Sequence, residues 1–201
     1  MSKQWTYVAV IVAGLGIGAW ALVQLAPKNV GAEVGNQAPA FDAVDMATGK
    51  LTSLKDRYKG QVTLVNIWAT WCLPCRAEMP AMEKLYKEFG PAGFKIAAVS
   101  VDEGSADPVK QFTREFGITF DVLHDPSRKI EEIYQTTGYP ESFLLDRDGI
   151  IVKKVIGEHP WSSENSRRLI AQLLGVGSGT PPPTTPDTAT ASPAEVKPVS
   201  R

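Results

Sequence analysis

Ligands for a metal are scarce in this chain of 201 residues, which holds two cysteines and two histidines. A closed zinc centre needs about four nitrogen or sulfur ligands, commonly as two spaced pairs, so a structural zinc site has little to build on. Net charge is nearly absent as well. The 21 basic and 22 acidic side chains leave −1, and no long basic run occurs, which argues against a nucleic-acid surface. Neither GxxxxGK[ST] nor GxGxxG is found, so nothing marks a nucleotide-phosphate cradle. No internal repeat occurs.

Two segments lack what a folded domain needs. Residues 7–26, "YVAVIVAGLGIGAWALVQLA", carry no charge, and 20 residues of helix rise about 30 Å, the thickness of a bilayer core. The run is longer than the roughly 7–15 apolar residues of a cleavable signal peptide, although "VGA" ending at Ala32 has the small-residue character of a cleavage site. It reads as a transmembrane anchor or uncleaved signal. Lys3 precedes it without an acid, while Lys28 and Glu33 follow. That bias puts residues 1–6 in the cytoplasm and the remainder outside. Residues 27–34 form a linker. At the other end, "VGSGTPPPTTPDTATASPAEVKPVSR" (176–201) has almost nothing large and apolar. Such a Pro/Thr-rich tail cannot bury a core and is expected to be disordered.

Residues 35–175 alternate strand and helix signals. "VTLVNIW" (62–68) and "FKIAAVSV" (94–101) are short apolar runs suited to buried strands. Met82, Leu85, Tyr86 and Phe89 fall at i, i+3, i+4 and i+7, an amphipathic helix ended by Gly90. Asp107-Pro108 and Asp125-Pro126 each resemble an N-cap followed by proline at the first helical position. "SFLLD", the turn "RDG" and "IIVKKVI" (150–156) make a hairpin, and Leu169, Ile170, Leu173 and Leu174 mark a last helix stopped by Gly175. The pattern is α/β, a central sheet flanked by helices.

Both cysteines lie in "WATWCLPCRAEMP", where a buried strand turns into a helix. The helix N-terminus offers unpaired N–H groups and a positive dipole end, which favour a thiolate at Cys72. Cys75, one turn inside, is more shielded. A disulfide between them closes too short a loop to stabilise a fold much, and it reopens easily. A structural staple would join distant segments. His124 ("LHDPS") and His159 ("GEHPW") occupy polar contexts where a solvated or capping role is the default. Covalent haem attachment needs a histidine after the second cysteine, and Arg76 is there. The pair reads as a reagent.

That stretch resembles the active site of the thioredoxin superfamily, across about residues 35–175. "GYPESFLLDRDG" is similar to its membrane-anchored, TlpA-like branch, which includes the cytochrome c maturation thioredoxins. The resemblance implies a thioredoxin fold with a central mixed β-sheet flanked by helices, an N-terminal extension and a central αβ insert. It implies that Pro80 is the helix-kinking proline and that Pro140 is the cis-proline that presents backbone to an extended substrate. Where cytoplasmic thioredoxins carry a buried acid, this chain has Asn66, so the proton relay passes to Glu78. Composition alone makes Glu78 a solvated glutamate. Glu141 resembles the Pro-Glu-Thr/Ser of the cytochrome c maturation thioredoxins, although the preceding glycine pattern is half kept in "QTTGYPES". Trp71, Pro74, Tyr139, Pro140 and Glu141 are the expected substrate contacts; Trp68 is expected in the core.

The implied activity is thiol–disulfide exchange by Cys72, Cys75 and Glu78 without a cofactor or metal. Its partners are an oxidised substrate protein, apocytochrome c among the candidates, and a membrane or soluble thiol donor, because no third cysteine can renew the dithiol. Three other readings stand beside it: a general membrane-tethered disulfide reductase, a peroxiredoxin-type peroxidase, and a copper-delivery module using Cys72, Cys75 and His124.

Overall fold

The computed structural model describes residues 11–18, 20 and 31–176. Residues 11–18 are helical, and among the described residues no helix is long and apolar enough to cross a membrane. The rest of the expected anchor, and the tail from residue 177, lie outside the described residues.

Seven strands form one mixed sheet: β1 (Asp42–Asp45), β2 (Leu51–Ser53), β3 (Val62–Trp68), β4 (Phe94–Ser100), β5 (Asp121–His124), β6 (Glu141–Leu145) and β7 (Ile151–Ile156). Their order is β2-β1-β5-β4-β3-β6-β7. Helices α1 (Leu54–Arg57), α2 (Leu73–Phe89), α3 (Asp107–Glu115), α4 (Lys129–Tyr134) and α5 (Glu164–Leu174) flank it. Strand β3 is central, parallel to β4 and antiparallel to β6. Every one of its seven residues is buried, which explains a run that is apolar except for Thr63 and Asn66. The sheet is therefore β3-α2-β4 joined to β6-β7-α5, with β1-β2 as an N-terminal extension and α3-β5-α4 inserted between the halves. This is the thioredoxin fold with the expected additions.

Several boundaries differ from those read in the sequence. Helix α3 is capped one residue earlier, at Ala106, which puts Asp107 inside its first turn. Helix α4 starts at Lys129, three residues beyond Pro126. Asp125 still caps it from a distance, because its carboxylate accepts from the Ser127 and Ile130 N–H groups at 3.2 and 2.9 Å. Residues 31–34 of the expected linker lie against the domain. Ala32 is fully buried, and Lys154 Nζ donates to Glu33 at 2.8 Å.

Candidate active site

Cys72 is the N-cap of α2, in extended backbone, with Pro74 in the first helical turn. Its sulfur accepts from the Cys75 N–H at 3.2 Å, and the two sulfurs are joined as a disulfide. The same N–H would serve a Cys72 thiolate. Cys72 is 5% exposed and Cys75 is 0% exposed, so of the two Cys72 is the one a partner can reach. Pro80 sits inside α2, where it leaves the Arg76 carbonyl without its in-helix donor.

The turn before Cys72 is held by a residue the sequence reading did not single out. Asp102, just past β4, accepts from the Thr70 N–H at 2.9 Å and from the Ser100 hydroxyl at 2.7 Å. Its own carbonyl lies 2.7 Å from His124 Nε2. His124 is thus buried in the sheet with that nitrogen occupied. This corrects the expected solvated role: Nε2 donates to the carbonyl, which leaves the ring's lone pair on Nδ1. The buried Asp102 carboxylate is satisfied at both oxygens, because the Thr70 hydroxyl donates to Oδ1 while the other two donors meet Oδ2.

Trp71 projects outward, 62% exposed, and meets Tyr139 edge-on with ring centroids 5.6 Å apart. Tyr139 is steadied by its hydroxyl contacts with Glu131 and Arg128. The Tyr139–Pro140 peptide is cis. The cysteine turn and the cis-proline loop, distant in sequence, therefore share one rim, of which Trp71, Pro74 and the exposed Leu73 are the outer part. Glu141 is different. It is fully buried, accepts from the Thr137 N–H at 2.9 Å, and forms an ion pair with Lys154 at 3.4 Å. Its place is behind the loop, fixing it. Trp68 is in the core, against Phe112.

Glu78 is not solvated. It is 2% exposed, one helical turn on from Cys75 and thus beside it on α2. Oε1 accepts from Asn66 Nδ2 at 2.8 Å, and Oε2 accepts from the His159 N–H at 3.2 Å. The Trp161 indole N–H favours the charge but closes no hydrogen bond. Burial dominates these donors and pushes the carboxyl up to about 7, with Glu158 adding to the rise. His159 itself is half-buried, its Nε2 within 3.0 Å of Ser166 Oγ and 3.2 Å of Lys153 Nζ. Burial and the Lys153 charge hold its pKa below the ordinary value. Asn66, Ser142, His159 and Trp161 were absent from the expected site. One signal did exist for Asn66: it is the lone amide in a strand otherwise apolar but for Thr63.

A cysteine pair at a helix start, set against a cis-proline loop, is what thioredoxin-fold thiol–disulfide oxidoreductases are built around, and the chain is one of these enzymes. It belongs to the AhpC/TSA family, whose model matches residues 34–154. Among its relatives is the thioredoxin-like protein YneN of Bacillus subtilis, 39% identical over 75% of this chain and 88% of that one. Another is the thiol-disulfide oxidoreductase ResA of Bacillus thuringiensis, 40% identical over 63% of this chain and 71% of that one. Among solved structures, the thioredoxin domain of a thiol-disulfide oxidoreductase from Bacteroides vulgatus is 27% identical with a TM-score of 0.61, covering 71% of this chain and 98% of that one.

Proposed function

We propose that the chain is an extracytoplasmic, membrane-tethered reductase of protein disulfides, and that the oxidised Cys-x-x-Cys-His motif of apocytochrome c is among its substrates. The observation that carries the reductase reading is the pairing of a helix-capping Cys72 with a buried Glu78 behind Cys75. The Cys72 thiolate attacks a substrate disulfide, forming a mixed disulfide and releasing one substrate thiolate, which takes a proton from water. The Cys75 thiol passes its proton to the Glu78 carboxylate and attacks Cys72 Sγ. That step closes the Cys72–Cys75 disulfide and releases the second substrate sulfur as a thiolate, which takes a proton from water. Two electrons have moved to the substrate, and an external thiol donor returns them. Trp71, Pro74, Tyr139 and Pro140 form the rim on which an extended substrate segment lies, with Glu141 holding the loop from behind.

Support for the tethered location comes from the uncharged run at 7–26 and the charges beside it. The narrower substrate rests on the resemblance of "GYPESFLLDRDG" to the cytochrome c maturation thioredoxins. In fractionated cells, the full chain is expected with membranes, its domain cleaved by protease added from the extracytoplasmic side. Protection from that side, with cleavage only after lysis, would reverse the orientation.

A further inference from the structure

Arg128, the residue before α4, sits in left-handed backbone at φ 57°. Glycine and asparagine take that conformation more readily than arginine, whose Cβ makes it costly. The turn does not need the arginine side chain either. Asp125 builds it, accepting from the Ser127 and Ile130 N–H groups through its carboxylate and from the Arg128 N–H through its carbonyl. The reason for an arginine here lies in what its side chain reaches.

The guanidinium places four N–H donors on three segments. Nε and Nη2 meet the two carboxylate oxygens of Glu131 on α4, at 2.7 and 3.2 Å. Nη1 reaches Glu103, in the segment after β4, at 3.1 Å. Nη2 also donates to the Tyr139 hydroxyl at 3.1 Å, and that hydroxyl donates in turn to Glu131. A single exposed ion pair contributes little, but a bidentate pair extended to two further groups holds one geometry. A lysine, with a single nitrogen, could not span them. Tyr139 is the residue that gains. It directly precedes the cis Pro140, and its ring is the wall that Trp71 meets edge-on.

We propose that Arg128 is a positioning residue for the exchange reaction. Through the Tyr139 hydroxyl it fixes the cis-proline side of the rim, so that an extended substrate meets an ordered Trp71–Tyr139 wall. The proposal rests on the substrate-binding role of the rim proposed above. Arg128→Gly keeps the backbone conformation, relieves its steric cost and removes the clamp. Tyr139→Phe keeps the ring and removes the contact from the other end.

The test is steady-state reduction, by the full chain, of an extended peptide closed by one Cys-x-x-Cys disulfide, with dithiothreitol as donor and the uncatalysed rate subtracted. Arg128→Gly is expected to raise KM roughly three- to fivefold with kcat held, the scale of an exposed ion-pair network. Tyr139→Phe should also raise KM, and the double variant should lose no more than Tyr139→Phe alone. Arg128→Lys should not restore the wild-type KM. The unfolding midpoint of Arg128→Gly should stay at the wild-type value. An unchanged KM in Arg128→Gly would overturn the proposal. A raised KM accompanied by a lowered unfolding midpoint would make Arg128 structural and overturn it too, as would losses that multiply in the double variant. Failure of the rim reading looks different: Trp71→Ala would then leave KM at the wild-type value, and the proposal would fall with the rim.

Discussion

Cys75→Ser is expected to accumulate covalent complexes with substrate proteins, and Cys72→Ser to accumulate none. The reasoning is steric and electronic together. Of the two, Cys72 alone keeps any exposure, and it alone caps the helix, where the Cys75 N–H and the dipole favour its thiolate. With Cys75 gone, nothing in the chain can attack the mixed disulfide, because no third cysteine exists. Non-reducing gels of whole-cell protein read the yield, and mass spectrometry identifies the trapped partner. An apocytochrome c supports the narrower substrate, whereas a broad mixture favours a general reductase. Adding Trp71→Ala to the trapping variant is expected to cut the yield about tenfold by removing an exposed aromatic anchor, typically worth more than 1 kcal/mol. Equal trapping by both cysteine variants would contradict the division of labour.

Glu78→Gln is expected to form mixed disulfides at the wild-type rate and to resolve them about 10²-fold more slowly near neutral pH, the low end for general acid–base help. A carboxyl pushed up to about 7 is half ionised there, so the wild-type rate should rise as pH passes through that value. The gap closes at high pH, where the Cys75 thiol ionises unaided. Stopped-flow reduction of a disulfide substrate across pH measures this, and superimposable curves would make Glu78 a structural residue. The same group affects stability. Its folded pKa lies above its value in the unfolded chain, so between about 4.5 and 7 the folded state binds more protons. Stability therefore falls as pH rises through that window and levels off above it. Denaturant titration of Glu78→Gln should show a variant on the order of 1–3 kcal/mol more stable than wild type at pH 8, an advantage absent below about pH 4.5.

The parts of this site legible in the sequence are those carried by local pattern. The apolar run of β3, the helix it leads into, and the cysteines at their junction all follow from short-range periodicity and capping chemistry. The cis-proline came from resemblance, since an X–Pro bond gives no local sign of its isomer. Burial of Glu78 was not legible. What encloses it comes from far along the chain, His159 and Trp161, and from Asn66 and Ser142 on neighbouring strands. Three- and four-residue strands such as β1, β2 and β5, half exposed or mixed in polarity, offer no period to detect. Asp102, in "SVDEG", has no local mark of its role, because its partner Thr70 lies 32 residues away in the chain.

A redox titration of the full chain against a glutathione or dithiothreitol series shows whether the Cys72–Cys75 pair works as a reductant. The two-electron midpoint is expected at or below roughly −220 mV, in the range of thioredoxin-like reductants. A midpoint near about −120 mV, the range of dedicated disulfide-forming oxidases, would contradict it.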